Sequence, residues 1–94
     1  MYIRVVRFTE VTAERVEGLL AQIEKSDSPP PGVKAKGLQF LVDEAQGTAV
    51  VLQSFDSAED MQVGGEMFAA MDPSETPGSR ASVDMCEVKL ELRL

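Results

Sequence analysis

The chain contains no histidine and one cysteine, Cys86. The usual general base, nitrogen metal ligand and triad partner are therefore missing. There is no cysteine cluster for zinc. Asp56, Glu59 and Asp60 lie close together in sequence, but they stand at a predicted helix start, where the macrodipole favours acids. They read as helix-start residues and not as a metal site. Gly64-Gly65 is not a phosphate loop, because neither GxGxxG nor GxxxxGK[ST] surrounds it. Two glycines inside a predicted helix cost roughly 1 kcal/mol each against alanine. They read either as close helix-to-sheet packing or as close approach of a ligand. Cys86 reads as a buried, unreactive thiol.

The remaining polar candidates sit on predicted strands: Tyr2, Arg4, Gln39, Gln53 and Glu87. A buried polar group without a partner costs about 1–3 kcal/mol. A ligand, a water or another side chain must therefore satisfy each one. Val51 and Phe55 share parity with Gln53 and supply an apolar wall. This site requires Tyr2, Arg4, Val6 and Phe8 to face away from the helices, leaving Ile3 and Val5 to face them. The competing reading is ion pairing of Arg4 or Arg7 with Glu87 or Glu91 on the neighbouring strand, worth about 0.2–1 kcal/mol. No catalytic residue, metal or cofactor is assigned.

The elements that position these residues follow a βαββαβ order. Tyr2 to Phe8 is β-branched and aromatic, as strands are. Thr12 is a good helix N-cap, and Val16, Leu19, Leu20 and Ile23 form one apolar stripe. This stripe should be buried against the sheet with Val88 and Leu90, so that Leu20→Ala costs about 2–5 kcal/mol. Ser28-Pro29-Pro30-Pro31-Gly32 must end the helix. Ala35 to Asp43, a Gln46-Gly47 turn and Thr48 to Phe55 read as a hairpin. Asp56 or Ser57 caps a second helix, whose apolar face carries Met61, Phe68 and Met71. A loop from Asp72 to Gly78 leads to a long last strand, Ala81 to Leu94. There Cys86, Val88, Leu90, Leu92 and Leu94 alternate with charged residues and read as the core face. Strands two and three carry apolar groups on both faces, so the face without helices wants a partner, most simply a second copy.

At 94 residues the chain fits one domain, residues 1–94. Its net charge of −7 repels phosphate backbones and anionic headgroups, and its basic residues form no stripe. Nucleic acid and anionic membranes are not expected partners. No apolar run approaches the ~20 residues that span a bilayer. The N-terminus lacks the pattern of a secretory signal, and a lone cysteine fits a reducing cytoplasm, so the expected location is cytoplasmic.

The βαββαβ order, Pro31-Gly32 before strand two, and the segment Val50-Val51-Leu52-Gln53-Ser54-Phe55-Asp56-Ser57-Ala58-Glu59 resemble the dimeric α/β-barrel superfamily. The resemblance is to its antibiotic-biosynthesis-monooxygenase-like branch. It implies a ferredoxin-like plait: a four-stranded antiparallel sheet with two helices on one face. It also implies a homodimer whose two sheets enclose a small, often aromatic, ligand. Some active members place a Trp where this chain has Phe55 and an Asn where it has Val51. The position of a common helix-two His corresponds to Gly64. Haem-binding relatives use an axial histidine, which this chain lacks.

The sequence therefore favours a homodimeric barrel that binds a small aromatic or anionic ligand, or acts as an interaction protein, without catalysis. The alternative is a cofactor-independent monooxygenase-like enzyme acting on a small aromatic substrate. A third reading is a structural subunit of a larger assembly. A barrel filled with side chains distinguishes the third from the first two.

Overall fold

The computed structural model describes residues 1–25, 33–69 and 77–93. The β-branched N-terminal run forms strand β1, Tyr2–Thr9. Helix α1, Ala13–Lys25, begins as its cap dictates. The Arg15 amide donates to Thr12 Oγ1 at 3.3 Å, and the Val16 amide donates to the Thr12 carbonyl at 3.0 Å. Strands β2, Gly37–Asp43, and β3, Thr48–Phe55, form the expected hairpin. At its turn the backbone and side-chain amides of Gln46 donate to the Asp43 carboxylate at 3.2 and 2.7 Å. Gly47 completes the turn at a φ of 66°, which glycine adopts without steric cost.

Helix α2, Ala58–Ala69, takes Ser57 as its cap: the Asp60 amide donates to Ser57 Oγ at 3.1 Å. Asp56, the other candidate, lies 3.4 Å from Lys36 Nζ. Strand β4, Ser79–Glu87, closes the sheet. All neighbours run antiparallel in the order β2-β3-β1-β4. This is the βαββαβ ferredoxin-like plait that the sequence implies. No helix among the described residues is long and apolar enough to cross a membrane.

The register decides which side chains share a face. Arg4 stands opposite Gln53 and Met85, Tyr2 opposite Phe55 and Glu87, and Val6 opposite Val51 and Val83. Directly opposed residues lie on one side of a sheet. That side faces α2, because a Cβ on Gly65 would stand 3.3 Å from both Arg4 Nε and Met85 Cε. Two apolar clusters form here. Val6, Phe8 and Ala49 pack with Val11, Phe40 and Val51; Val33, Phe55 and Met61 pack with Tyr2, Ala35 and Phe68. Ile3, Val5, Leu41, Val50 and Leu52 have the opposite parity and lie on the face turned away from α2.

Three expectations are corrected by this arrangement. Tyr2, Arg4, Val6 and Phe8 face α2, and Ile3 and Val5 do not. Strand β1 is apolar at both parities, so a two-residue period cannot choose its side. The last strand ends at Glu87 and not Leu94, and its predicted core parity is reversed: Cys86 is exposed opposite Ile3. Beyond it the Val88 amide still donates to the Met1 carbonyl at 3.0 Å, but Leu90 and Leu92 are 76% and 70% exposed. Finally, the α1 stripe is only partly covered. Val16 and Leu19 are half-buried and Leu20 is 40% exposed. Leu20→Ala should therefore cost less than about 1 kcal/mol in urea unfolding, since little new cavity forms at such a site. The proline loop up to Gly32, the Ile23 side chain, Met71 and Leu94 lie outside the described residues.

Candidate functional site

Among the described residues, the buried polar side chains on the α2-facing side of the sheet are Arg4 and Gln53, each 4% exposed. Neighbouring strands place them directly opposite one another, and Arg4 Nη1 donates to Gln53 Oε1 at 2.9 Å. The Arg4 guanidinium carbon lies 5.7 Å from the centre of the Phe68 ring on α2, within cation–π range. Gly65 makes this approach possible, because the helix presents no side chain where the Arg4 stem lies beneath it. Burial lowers the pKa of Arg4 from its ordinary value, and the positive charge of Arg80 lowers it further.

Next to this pair the helix and sheet touch. A Cβ on Gly64 would stand 2.6 and 2.8 Å from Cε1 and Cζ of Phe55, whose side chain is fully buried. Of the two readings of the glycine pair, close helix-to-sheet packing accounts for Gly64. Gly65 is where the helix admits the buried cation.

The structure brings together Tyr2, Arg4, Gln53 and Phe55 under α2, with Val51 further along the same face. It does not bring in Gln39, which is exposed and stands opposite Leu52 on the other face. Glu87 shares the face, opposite Tyr2, but its carboxylate accepts from Lys89 Nζ at 3.1 Å. Of the cross-strand pairings open to Arg4 or Arg7 with Glu87 or Glu91, that of Arg4 with Glu87 is not made: Arg4 pairs with an amide instead. The placement of the site on the barrel side is overturned, since these groups turn toward the helix. Sequence reasoning missed Met85 and Val33. The signal for Met85 lay in its parity with Val83 and Glu87.

No family model matches the chain, and no curated protein matches its sequence. A solved structure does match: a crystal structure of an MhuD mutant with two manganese protoporphyrin IX molecules bound per active site. The TM-score is 0.63 at 16% identity, over 99% of both chains. The two chains share a fold. It is the ferredoxin-like plait described above.

The axial histidine that haem-binding relatives use has no counterpart among the residues present here. Haem iron takes a His, Cys, Met or Tyr ligand. The chain has no histidine, and Cys86 is on the far face of the sheet. Met61 and Tyr2 are packed with Phe55 where Gly64 leaves no gap between helix and ring. Among the described residues no three His, Cys, Asp or Glu side chains group to hold a metal.

Proposed function

We propose that this single-domain chain is a homodimeric, cytoplasmic small-ligand-binding protein without catalysis, whose ligand site lies between α2 and the sheet. The observation that carries the ligand reading is the buried Arg4–Gln53 pair under Phe68. A buried cation paired with an amide adds little net stability to a core, because buried polar pairs are commonly replaceable by apolar residues of similar volume. The surrounding Phe68, Tyr2 and Met85 suit a small aromatic molecule. The fold shared with a porphyrin-binding protein agrees with a ligand in this architecture. A fragment panel of small phenols, amides and carboxylates followed by calorimetry tests the reading. Saturable binding of at least one class at micromolar to millimolar concentration is expected; no binding from any class contradicts it.

The dimer reading rests on the face turned away from α2. Ile3, Val5, Leu41, Val50 and Leu52 form an apolar field there, and Leu41 is half exposed. Arg7 and Asp84 lie on the same face with opposite charge, which is compatible with a self-complementary patch. Light scattering should give about twice the chain mass of 10.2 kDa. Leu52→Arg should halve that mass while the circular dichroism of the plait survives. A wild-type mass of one chain at micromolar concentration would remove the dimer.

A further inference from the structure

We propose that Met85 is a site of oxidation by peroxide, and that the Arg4 guanidinium receives the oxygen of the resulting sulfoxide. This reaction does not depend on the ligand reading above, and it needs room only for a single oxygen on an exposed thioether.

Exposure alone does not single out Met85. Met61 is buried with Val33 and Phe55, whereas Met67 and Met85 are 43% and 45% exposed. Methionine oxidation follows exposure, which ranks Met67 and Met85 as equals and Met61 last. What separates the two exposed thioethers is the neighbour each one has. Met67 stands on α2, a helix without Lys or Arg. Met85 stands directly opposite Arg4 on the adjacent strand. Their far ends converge as well: the Met85 methyl carbon and Arg4 Nε each lie 3.3 Å from the place a Gly65 Cβ would take. Because Gly65 carries no side chain, nothing from that position comes between them.

Arg4 is a donor in search of acceptors. Its hydrogen bond among the described residues goes to Gln53 Oε1, although a guanidinium has five N–H donors. No fully sealed side-chain nitrogen lacks a partner, so the remaining donors lie where a little solvent reaches. A thioether sulfur accepts hydrogen bonds only weakly and leaves those donors to water. Oxidation changes this. The Met85 sulfur attacks one peroxide oxygen, and the S–O bond forms as the O–O bond breaks. Sulfur gives up an electron pair and is oxidised; the peroxide is reduced. The departing hydroxide takes the proton of the transferred oxygen and leaves as water. Negative charge grows on the departing oxygen, where a nearby N–H donor stabilises the transition state. The product is polar, and its oxygen can accept from Arg4. Arg4 thus assists the oxidation and then holds its product, at the rim where β4 meets α2.

The test is a time course of the full chain in limiting hydrogen peroxide, with each sulfoxide followed by peptide mass spectrometry. Met85 should oxidise at least about threefold faster than Met67, a factor within what one net hydrogen bond supplies. A smaller ratio would overturn the proposal. In the paired variant R4L/Q53L both polar groups become apolar together, and Met85 should slow to the Met67 rate. A ratio unchanged from wild type would overturn the role of Arg4. Should that variant fail to fold, the oxidised wild-type chain decides by NMR. The Arg4 Nε–H resonance should move downfield and exchange with water more slowly once Met85 is oxidised; a resonance that stays in place would overturn the sulfoxide contact.

Discussion

Phe55→Ala should destabilise the protein by about 3–5 kcal/mol. Phe55 is fully buried at the end of β3, and it joins Val33 and Met61 in the cluster that fastens α2 to the sheet. Helix α2 lies directly on its ring, so a cavity there cannot collapse without moving the helix. At roughly 4–8 °C per kcal/mol for a domain of this size, the melting temperature should fall by at least about 12 °C. A domain this small has little stability to lose, so the variant approaches unfolding at physiological temperature. A fall under about 4 °C would show that Phe55 does not fasten α2 to the sheet.

Gly64→Ala should also destabilise, against the sign that helix propensity alone gives. Alanine gains about 1 kcal/mol over glycine in a helix interior. Here its Cβ meets the Phe55 ring at 2.6 Å, and overpacking of this kind costs about 1–3 kcal/mol. The ring is enclosed and cannot recede, so the cost lies toward the upper end of that range and a net loss of up to about 2 kcal/mol is expected, the difference of those two terms. Gly18 in α1 is the control, since a Cβ there meets nothing within 4 Å. Gly18→Ala should stabilise by about 0.5–1 kcal/mol. The double variant F55A/G64A should be less destabilised than the sum of its parts, because truncating the ring removes the clash. Additive urea midpoints across that cycle would show that the two positions do not touch.

Much of the fold was legible in the sequence because local chemistry fixes element ends. Thr12 and Ser57 cap helices with their own hydroxyls, and Gln46-Gly47 turns the hairpin beside Asp43. The polar members of the site were legible too: Arg4 and Gln53 stood out as polar groups on strands with little solvent. Their side of the sheet was not. Ile3 and Val5 are as apolar as Val6 and Phe8, so alternation gives two equal solutions, and only the contact of Arg4 with Gly65 and Phe68 decides between them. Gln39 was included on residue type alone, and its register opposite Leu52 removes it. The alternation running through Leu90 and Leu92 reads as a strand, but strand β4 has already ended, and no described neighbour continues the ladder past Val88.

The claim at the centre of this account is that the ligand site lies between α2 and the sheet, not on the face turned away from α2. Methyl-resolved NMR during a benzoate titration tests it directly. The Met85 and Met61 methyls and the Gly65 amide should shift together and saturate at one concentration, while the Leu41 and Leu52 methyls stay in place. Shifts at Leu41 and Leu52 with Met85 and Gly65 unmoved would place the ligand on the opposite face and contradict the account.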